Sequence, residues 1–254
     1  MKRSNAFCLA ALLALAGCSH LSPYYRPDAP PARFPADGDL RQRVLLIGDA
    51  GMPQKNEPVL QALEQWAGQQ PQRTTVVFLG DNVYESGIPE PDQGGYTQAL
   101  GYLQAPLFLW KDHLFPARRL HRRLWLPLPV LGSLYPLVRG LRPPTQDLAS
   151  PTYRSMSAAL RGALARYRPL IYAAGHDHSL QVLEGDAASR YYLISGMGSA
   201  KKATAVTHGH DTLFAHLHPG FMAVDLLEDG RMLLQVVEAG SAAVVFAHWL
   251  YGAD

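Results

Sequence analysis

Three apolar runs in this 254-residue chain each stop at a glycine followed by a metal-ligating side chain, and that repeated ending constrains the fold more than any other feature. Val44 to Ile47 stops at Gly48-Asp49-Ala50-Gly51, Thr74 to Leu79 at Gly80-Asp81, and Leu170 to Ala174 at Gly175-His176-Asp177-His178. Short β-branched and leucine runs that break at glycine read as buried strands entering turns. Between the first two runs, Pro58 to Ala67 places Val59, Leu60, Leu63, Trp66 and Ala67 at helical spacing. Strand, helix, strand in that order implies parallel strands, and in such sheets ligands sit beyond the carboxyl ends. Asp49 and Asp81 are expected to converge there.

Pro151 to Tyr167 reads as an amphipathic helix, with Ser150 as N-cap and Pro169 beyond its end. It feeds the Leu170 run. Short strand-like runs follow at Ser179 to Glu184, Tyr191 to Ser195, Phe221 to Leu226, Met232 to Val237 and Ala242 to Trp249, with a hairpin signal at Glu228-Asp229-Gly230. The second half is therefore expected to be a mostly antiparallel sheet packed on the first.

Composition removes several function classes. Hydrophobic residues make up 48%, charged residues 17%, and the formal net charge is +2, so neither disorder nor nucleic-acid electrostatics is indicated. The only cysteines are Cys8 and Cys18, so the folded body has no thiol for a disulfide, zinc knuckle or cysteine nucleophile. What remains is oxygen and nitrogen chemistry. Asp49, Asp81 with Tyr84, and His176 with His178 supply the donor types that hold a catalytic transition metal. One carboxylate can bridge two cations about 3.5–4 Å apart, a clamp suited to phosphoryl transfer. If the strand continues through His176 and His178 both face one side; a turn would aim them at two neighbouring metals.

Gly48-Asp49-Ala50-Gly51, Gly80-Asp81-Asn82-Val83-Tyr84 and Gly175-His176-Asp177-His178 resemble the GDxG, GDxxY and GHxH motifs of the calcineurin-like metallophosphoesterases, in their purple-acid-phosphatase-like variant. The resemblance implies that Asp49, Asp81, Tyr84 and His178 bind a first metal, that Asp81 bridges, and that His176 sits on a second. It implies two metal ions, iron, zinc or manganese. A tyrosinate ligand favours ferric iron, because only a strongly Lewis-acidic ion ionises tyrosine at neutral pH. The implied fold is α/β, a four-layer αββα sandwich over roughly residues 43–254. The implied activity is hydrolysis of a phosphate ester by metal-bound hydroxide.

The chain departs from that pattern in one region. The family's GNH[ED] motif and its middle histidine have no counterpart between Tyr84 and Gly175, where the only histidines are His113 and His121. The sandwich is thus expected to be incomplete, lacking a strand–helix–strand portion near Tyr96 to Leu109. The second metal keeps Asp81 and His176 as matched ligands, and no catalytic general acid is assigned. An alternative expectation follows: a catalytically impaired relative that retains one metal and works as an envelope binding or structural protein.

Lys2 and Arg3 precede an apolar run, Phe7 to Ala16, too short for a permanent membrane anchor. Leu15-Ala16-Gly17-Cys18 resembles the bacterial lipobox, which implies cleavage after residue 17 and acylation of Cys18. Ser19 follows, with no aspartate as retention signal, so the implied address is the bacterial cell envelope, at the periplasmic face of the outer membrane. Residues 18–42, rich in proline and alanine, read as a tether.

Other clusters carry weaker signals. His208, His210, His216 and His218 could hold a separate zinc or copper, but read first as a solvated loop. Lys201-Lys202, after Gly196-Met197-Gly198-Ser199, reads either as a phosphate contact or as a surface turn. The basic, aromatic-interleaved segment from Lys111 to Arg142 reads as a cover over the site, with an anionic lipid interface as the second reading. The expected partners are a phosphate-ester substrate and a membrane reached through the lipid anchor, with no nucleic acid.

Overall fold

The computed structural model describes residues 22–29, 32–35, 38–82, 151–199, 203–204, 206 and 208–252. Cys18, Tyr84, His113, His121, Lys201, Lys202 and the segment from Lys111 to Arg142 lie outside the described residues.

The strands are β1 (Tyr24–Tyr25), β2 (Leu40–Ile47), β3 (Thr74–Phe78), β4 (Ile171–Ala174), β5 (Leu180–Glu184), β6 (Tyr191–Ser195), β7 (Thr212–His216), β8 (Gly220–Leu227), β9 (Met232–Glu238) and β10 (Ala243–Tyr251). The helices are α1 (Pro58–Gln69) and α2 (Pro151–Tyr167). They build a mixed α/β sandwich of two five-stranded sheets, ordered β1-β7-β5-β6-β4 and β10-β9-β8-β2-β3. β2 pairs parallel with β3, and β4 parallel with β6; the other pairings are antiparallel.

Period-two alternation explains the layers. On β2, Leu46 turns to the space between the sheets, where it joins Leu180, Leu193, Phe214, Met222, Val236 and Phe246. Leu45 and Ile47 turn the other way, onto Val59, Ala62, Leu63 and Trp66 of α1. β8 does the same, with Met222 and Val224 inside and Phe221 and Ala223 under α1. Both central strands are covered on two faces, which is why they read as unbroken apolar runs. α1 buries the i, i+3, i+4, i+7 positions Val59, Ala62, Leu63 and Trp66, and starts with Pro58 at its first turn. The described side chains of α2 are mainly exposed, and an Arg161–Asp186 ion pair of 2.5 Å ties this helix to the loop between β5 and β6.

The second half is divided between the two sheets rather than forming one sheet packed on the first half. β8 pairs with β2, so β8, β9 and β10 extend the first-half sheet, while β4 to β7 build the opposing one. Periodicity finds strands but carries no information on which neighbour each will pair with. The stretch read as a tether contributes structure: Tyr24–Tyr25 pair with β7, Ala29 is buried, and Arg26 forms a two-pronged pair with Glu184. β7 in turn occupies part of the stretch read as a histidine loop, and every one of its residues is buried.

His248 on β10 is half-buried, its ring parallel to Phe246 and edge-on to Tyr191. Burial pushes its pKa below the ordinary value; Glu184 opposes this and Arg26 adds to it, both more weakly. A depressed histidine stabilises the fold fully only above its unfolded pKa of about 6.5, and that stabilisation is lost as pH falls through the folded value. Unfolding free energy is therefore expected to decline from pH 7 towards pH 5, by at most about 1.4 kcal/mol per pH unit for this one proton. His248→Phe should flatten the decline in denaturant titrations. A residual slope remains from His216, which burial also pushes down.

Candidate metal centre

All three strand ends reach one place. β2 and β3 deliver Asp49 and Asp81 from one sheet, and β4 delivers His176 and His178 from the other. The two sheets are stitched together here: Gly48 N–H donates to Ser195 O at 2.7 Å, Gly198 N–H to Gly48 O at 3.0 Å, and Ser195 Oγ–H to Leu46 O at 2.8 Å. Within the first sheet, Asp49 N–H donates to Gly80 O and Gly51 N–H to Asp81 O, each at 3.1 Å.

Asp49, Asp81 and His176 bring one ligand atom each to within 4.8 Å of one another. Asp49 is fully buried; its Oδ2 accepts the His176 backbone N–H at 2.6 Å, and its Oδ1 lies 3.3 Å from His178 Nε2. His176 Nδ1 lies 3.1 Å from Asp81 Oδ2, and this pair is exposed. β4 ends at Ala174, so a turn carries the histidines, and the two imidazoles go to two different carboxylates. His178 is held from behind, its N–H donating to Thr204 Oγ1 at 3.1 Å and its carbonyl accepting from Thr204 N–H at 2.8 Å.

Asp49, Asp81 and His176 have φ of +59°, +52° and +70°. Left-handed backbone costs a non-glycine residue on the order of 1–3 kcal/mol, and such residues cluster where function requires them. Finding one at each of three converging strand ends marks this rim as a site.

Glycines make the close approach possible. A Cβ on Gly175 would stand 3.0 Å from Asp49 Oδ2, and one on Gly196 would stand 2.3 Å from Asp177 O and 2.9 Å from Asp49 Oδ2. Gly196→Ala is expected to cost about 1–3 kcal/mol, as overpacking does, and to weaken metal binding by pushing Asp49 aside. Gly68→Ala, in helix α1 with nothing within 4 Å of the new Cβ, should be neutral or stabilising by up to about 1 kcal/mol. Urea titrations of the two variants check the contrast; equal midpoints would contradict it.

Several contributors were not legible as such. Gly196-Met197-Gly198-Ser199 forms a buried wall behind Asp49, while Lys201 and Lys202, read as a phosphate contact or a surface turn, lie outside the described residues. Met197 is 2% exposed, and Ser199 Oγ–H donates to Asp49 O at 2.6 Å while accepting Met52 N–H at 3.1 Å. The two glycines flanking Met197 were the available signal. Asn82 Oδ1 is buried without a hydrogen-bond partner among the described residues. The donor set of carboxylates and imidazoles fits a transition-metal ion. Tyr84, the remaining ligand implied by resemblance, lies outside the described residues.

The sequence matches no protein-family model and no curated protein. The fold is similar to GAP50, the anchor in the inner membrane complex of Plasmodium, at 14% identity and a TM-score of 0.51, over 85% of this chain and 90% of that one. It is also similar to the purple acid phosphatase PPD1 from yellow lupin seeds, at 11% identity and a TM-score of 0.42 over 86% and 55%. A third solved structure is the zinc complex of Vps29 from Entamoeba histolytica, at 14% identity and a TM-score of 0.38 over 83% and 100%. The likeness to GAP50 is one of fold.

Proposed function

We propose that this chain is a metal-dependent phosphoesterase that hydrolyses a phosphate ester at the rim formed by Asp49, Asp81, His176 and His178. The observation that carries the reading is the convergence of three strand ends from two sheets, with ligand atoms of Asp49, Asp81 and His176 within 4.8 Å. Bound there, iron, zinc or manganese supplies a Lewis acid for phosphoryl oxygens and a means of activating water. Asp49 forms the buried floor, with its carboxylate fixed by the His176 N–H. Asp81 and His176 form the exposed side, from which an ester approaches. His178, braced by Thr204, closes the flank beside Asp49. By the resemblance, Asp49, Asp81, Tyr84 and His178 would hold a first metal, and Asp81 and His176 would hold a second. Acylation at Cys18 tethers the domain to the periplasmic face of the outer membrane.

A second reading is a metal-binding relative without turnover that serves as an envelope anchor or binding protein. It is favoured by the missing Asn-His motif, which leaves no general acid assigned, and by the description of the similar GAP50 as an anchor. The readings part on one assay. Protein reconstituted with Mn²⁺, Zn²⁺ or Fe³⁺ is offered p-nitrophenyl phosphate and bis-p-nitrophenyl phosphate. Turnover that is lost in Asp81→Asn supports the esterase. Metal bound without turnover of either ester supports the second reading.

A further inference from the structure

We propose that His216, His218 and Glu238 form a separate binding site for a first-row transition-metal ion, zinc foremost. The three residues bring ligand atoms to within 4.8 Å of one another, and none of them belongs to the Asp49 cluster. His216 Nε2 lies 2.7 Å from Glu238 Oε2, and His218 Nδ1 lies 3.5 Å from the same oxygen. The two rings tilt together with centroids 4.6 Å apart. Two imidazoles drawn to one carboxylate oxygen make a poor pair of ion pairs, since two charged rings would repel at this distance. They make a good half-shell for a cation.

The distances agree with zinc. Zn²⁺ takes imidazole nitrogen and carboxylate oxygen at about 2.0–2.2 Å, so neighbouring ligand atoms in a tetrahedral shell stand about 3.4 Å apart. The His218 contact has that spacing already, and the His216 contact opens to it by a small swing of the half-exposed Glu238 side chain. Two nitrogens and one oxygen suit zinc, copper or nickel rather than calcium or magnesium. Three protein ligands leave a position open to water or a small ligand.

The fold prepares this arrangement. His216 ends β7 in one sheet, and the chain then crosses through His218 and Pro219 into β8 of the other. Glu238 ends β9 and lies opposite Gly220 in register. A Cβ on Gly220 would stand 2.2 Å from Val237 O, so glycine is what lets the crossing chain press against the end of β9. His216 itself is 1% exposed; its Nδ1 has no partner among the described residues, and its Nε2 faces Glu238. An ion here links the two sheets. Because His216 pairs with Leu180, two residues beyond His178, the link sits on the same rim as the Asp49 cluster.

The test is zinc titration of the full, detergent-solubilised chain after metal removal, followed by bound-metal counting and by visible absorption with Co²⁺ as a substitute. The parent should bind one more zinc than His218→Ala or Glu238→Gln, or bind it at least tenfold more tightly. His218 is partly exposed and Glu238→Gln keeps an acceptor, so unfolding midpoints in chelator should confirm that both variants fold. This zinc should persist in Asp81→Asn and in a His208→Ala/His210→Ala variant, which separates it from the first centre and from loop histidines. The proposal falls if His218→Ala and Glu238→Gln bind zinc in the parent's number and affinity, or if Asp81→Asn leaves no zinc bound.

Discussion

Asp81→Asn is expected to lower the phosphate-ester turnover proposed for this chain by roughly 100-fold or more, and to abolish the rise in unfolding temperature that Mn²⁺ should give the parent protein. Residues that merely orient a metal ligand cost about 10–100-fold when changed, so a direct ligand sets the lower bound at the top of that range. The thermal arm needs no substrate. A ligand at 100 times its Kd stabilises the folded state by about 2.7 kcal/mol, which in a protein of this size moves the midpoint by about 5–10 °C. Asp81 is well suited to the test because its side chain is 37% exposed, so an amide there leaves the core untouched. Mn²⁺ is the right probe because it is the weakest first-row divalent metal for the proposed His216 site and a natural one for paired carboxylates. Fluorescence-monitored melts with and without Mn²⁺ decide it: an equal rise in parent and variant would remove Asp81 from the metal site.

Arg43→Met is expected to lower stability by about 3–5 kcal/mol. Arg43 Nε and Nη2 donate to Asp225 Oδ1 and Oδ2 at 2.7 and 2.8 Å, and Nη1 donates to Gln69 Oε1 at 2.9 Å. Gln235 Nε2 donates to Asp225 Oδ2 at 2.7 Å, and the guanidinium lies 4.7 Å from the Trp66 ring centroid. Both charged partners are buried, Asp225 completely. This one network ties β2, β8, β9 and α1 together. Removing the arginine leaves a buried carboxylate that keeps its bond from Gln235 but no longer has a compensating charge from Arg43, and that is the source of the loss. Replacing both residues, as Arg43→Met/Asp225→Leu, should recover most of it, because the desolvation cost disappears with the second charge. Urea unfolding of single and double variants measures the coupling; a single-variant loss below about 1 kcal/mol would show that the pair is not what secures these elements.

The two sets of residues differ in how visible they were. Asp49, Asp81, His176 and His178 stood out because each closes an apolar run at a glycine, a local pattern with a local cause. Arg43 and Asp225 did not stand out, since each looks like an ordinary polar residue until β2 and β8 are known to pair. Glu238 was hidden for the same reason. It lies in a different sheet from His216, and no spacing rule connects positions that meet only where the chain changes sheets.

The sequence by itself determined most of the elements: the strands other than β1 and β7, the two helices over Pro58–Gln69 and Pro151–Tyr167 to within two residues, and the carboxylates and imidazoles at the strand ends. These follow from hydrophobic period and from glycine, which act over a few residues. Only the tertiary structure decided which strands share a sheet, that His176 and His178 turn to different carboxylates, that Gly196 and Ser199 wall in Asp49, and that His216 leaves the loop histidines to join Glu238. Those outcomes depend on contacts between residues far apart in the chain, fixed by burial of both faces of β2 and β8 rather than by any local preference.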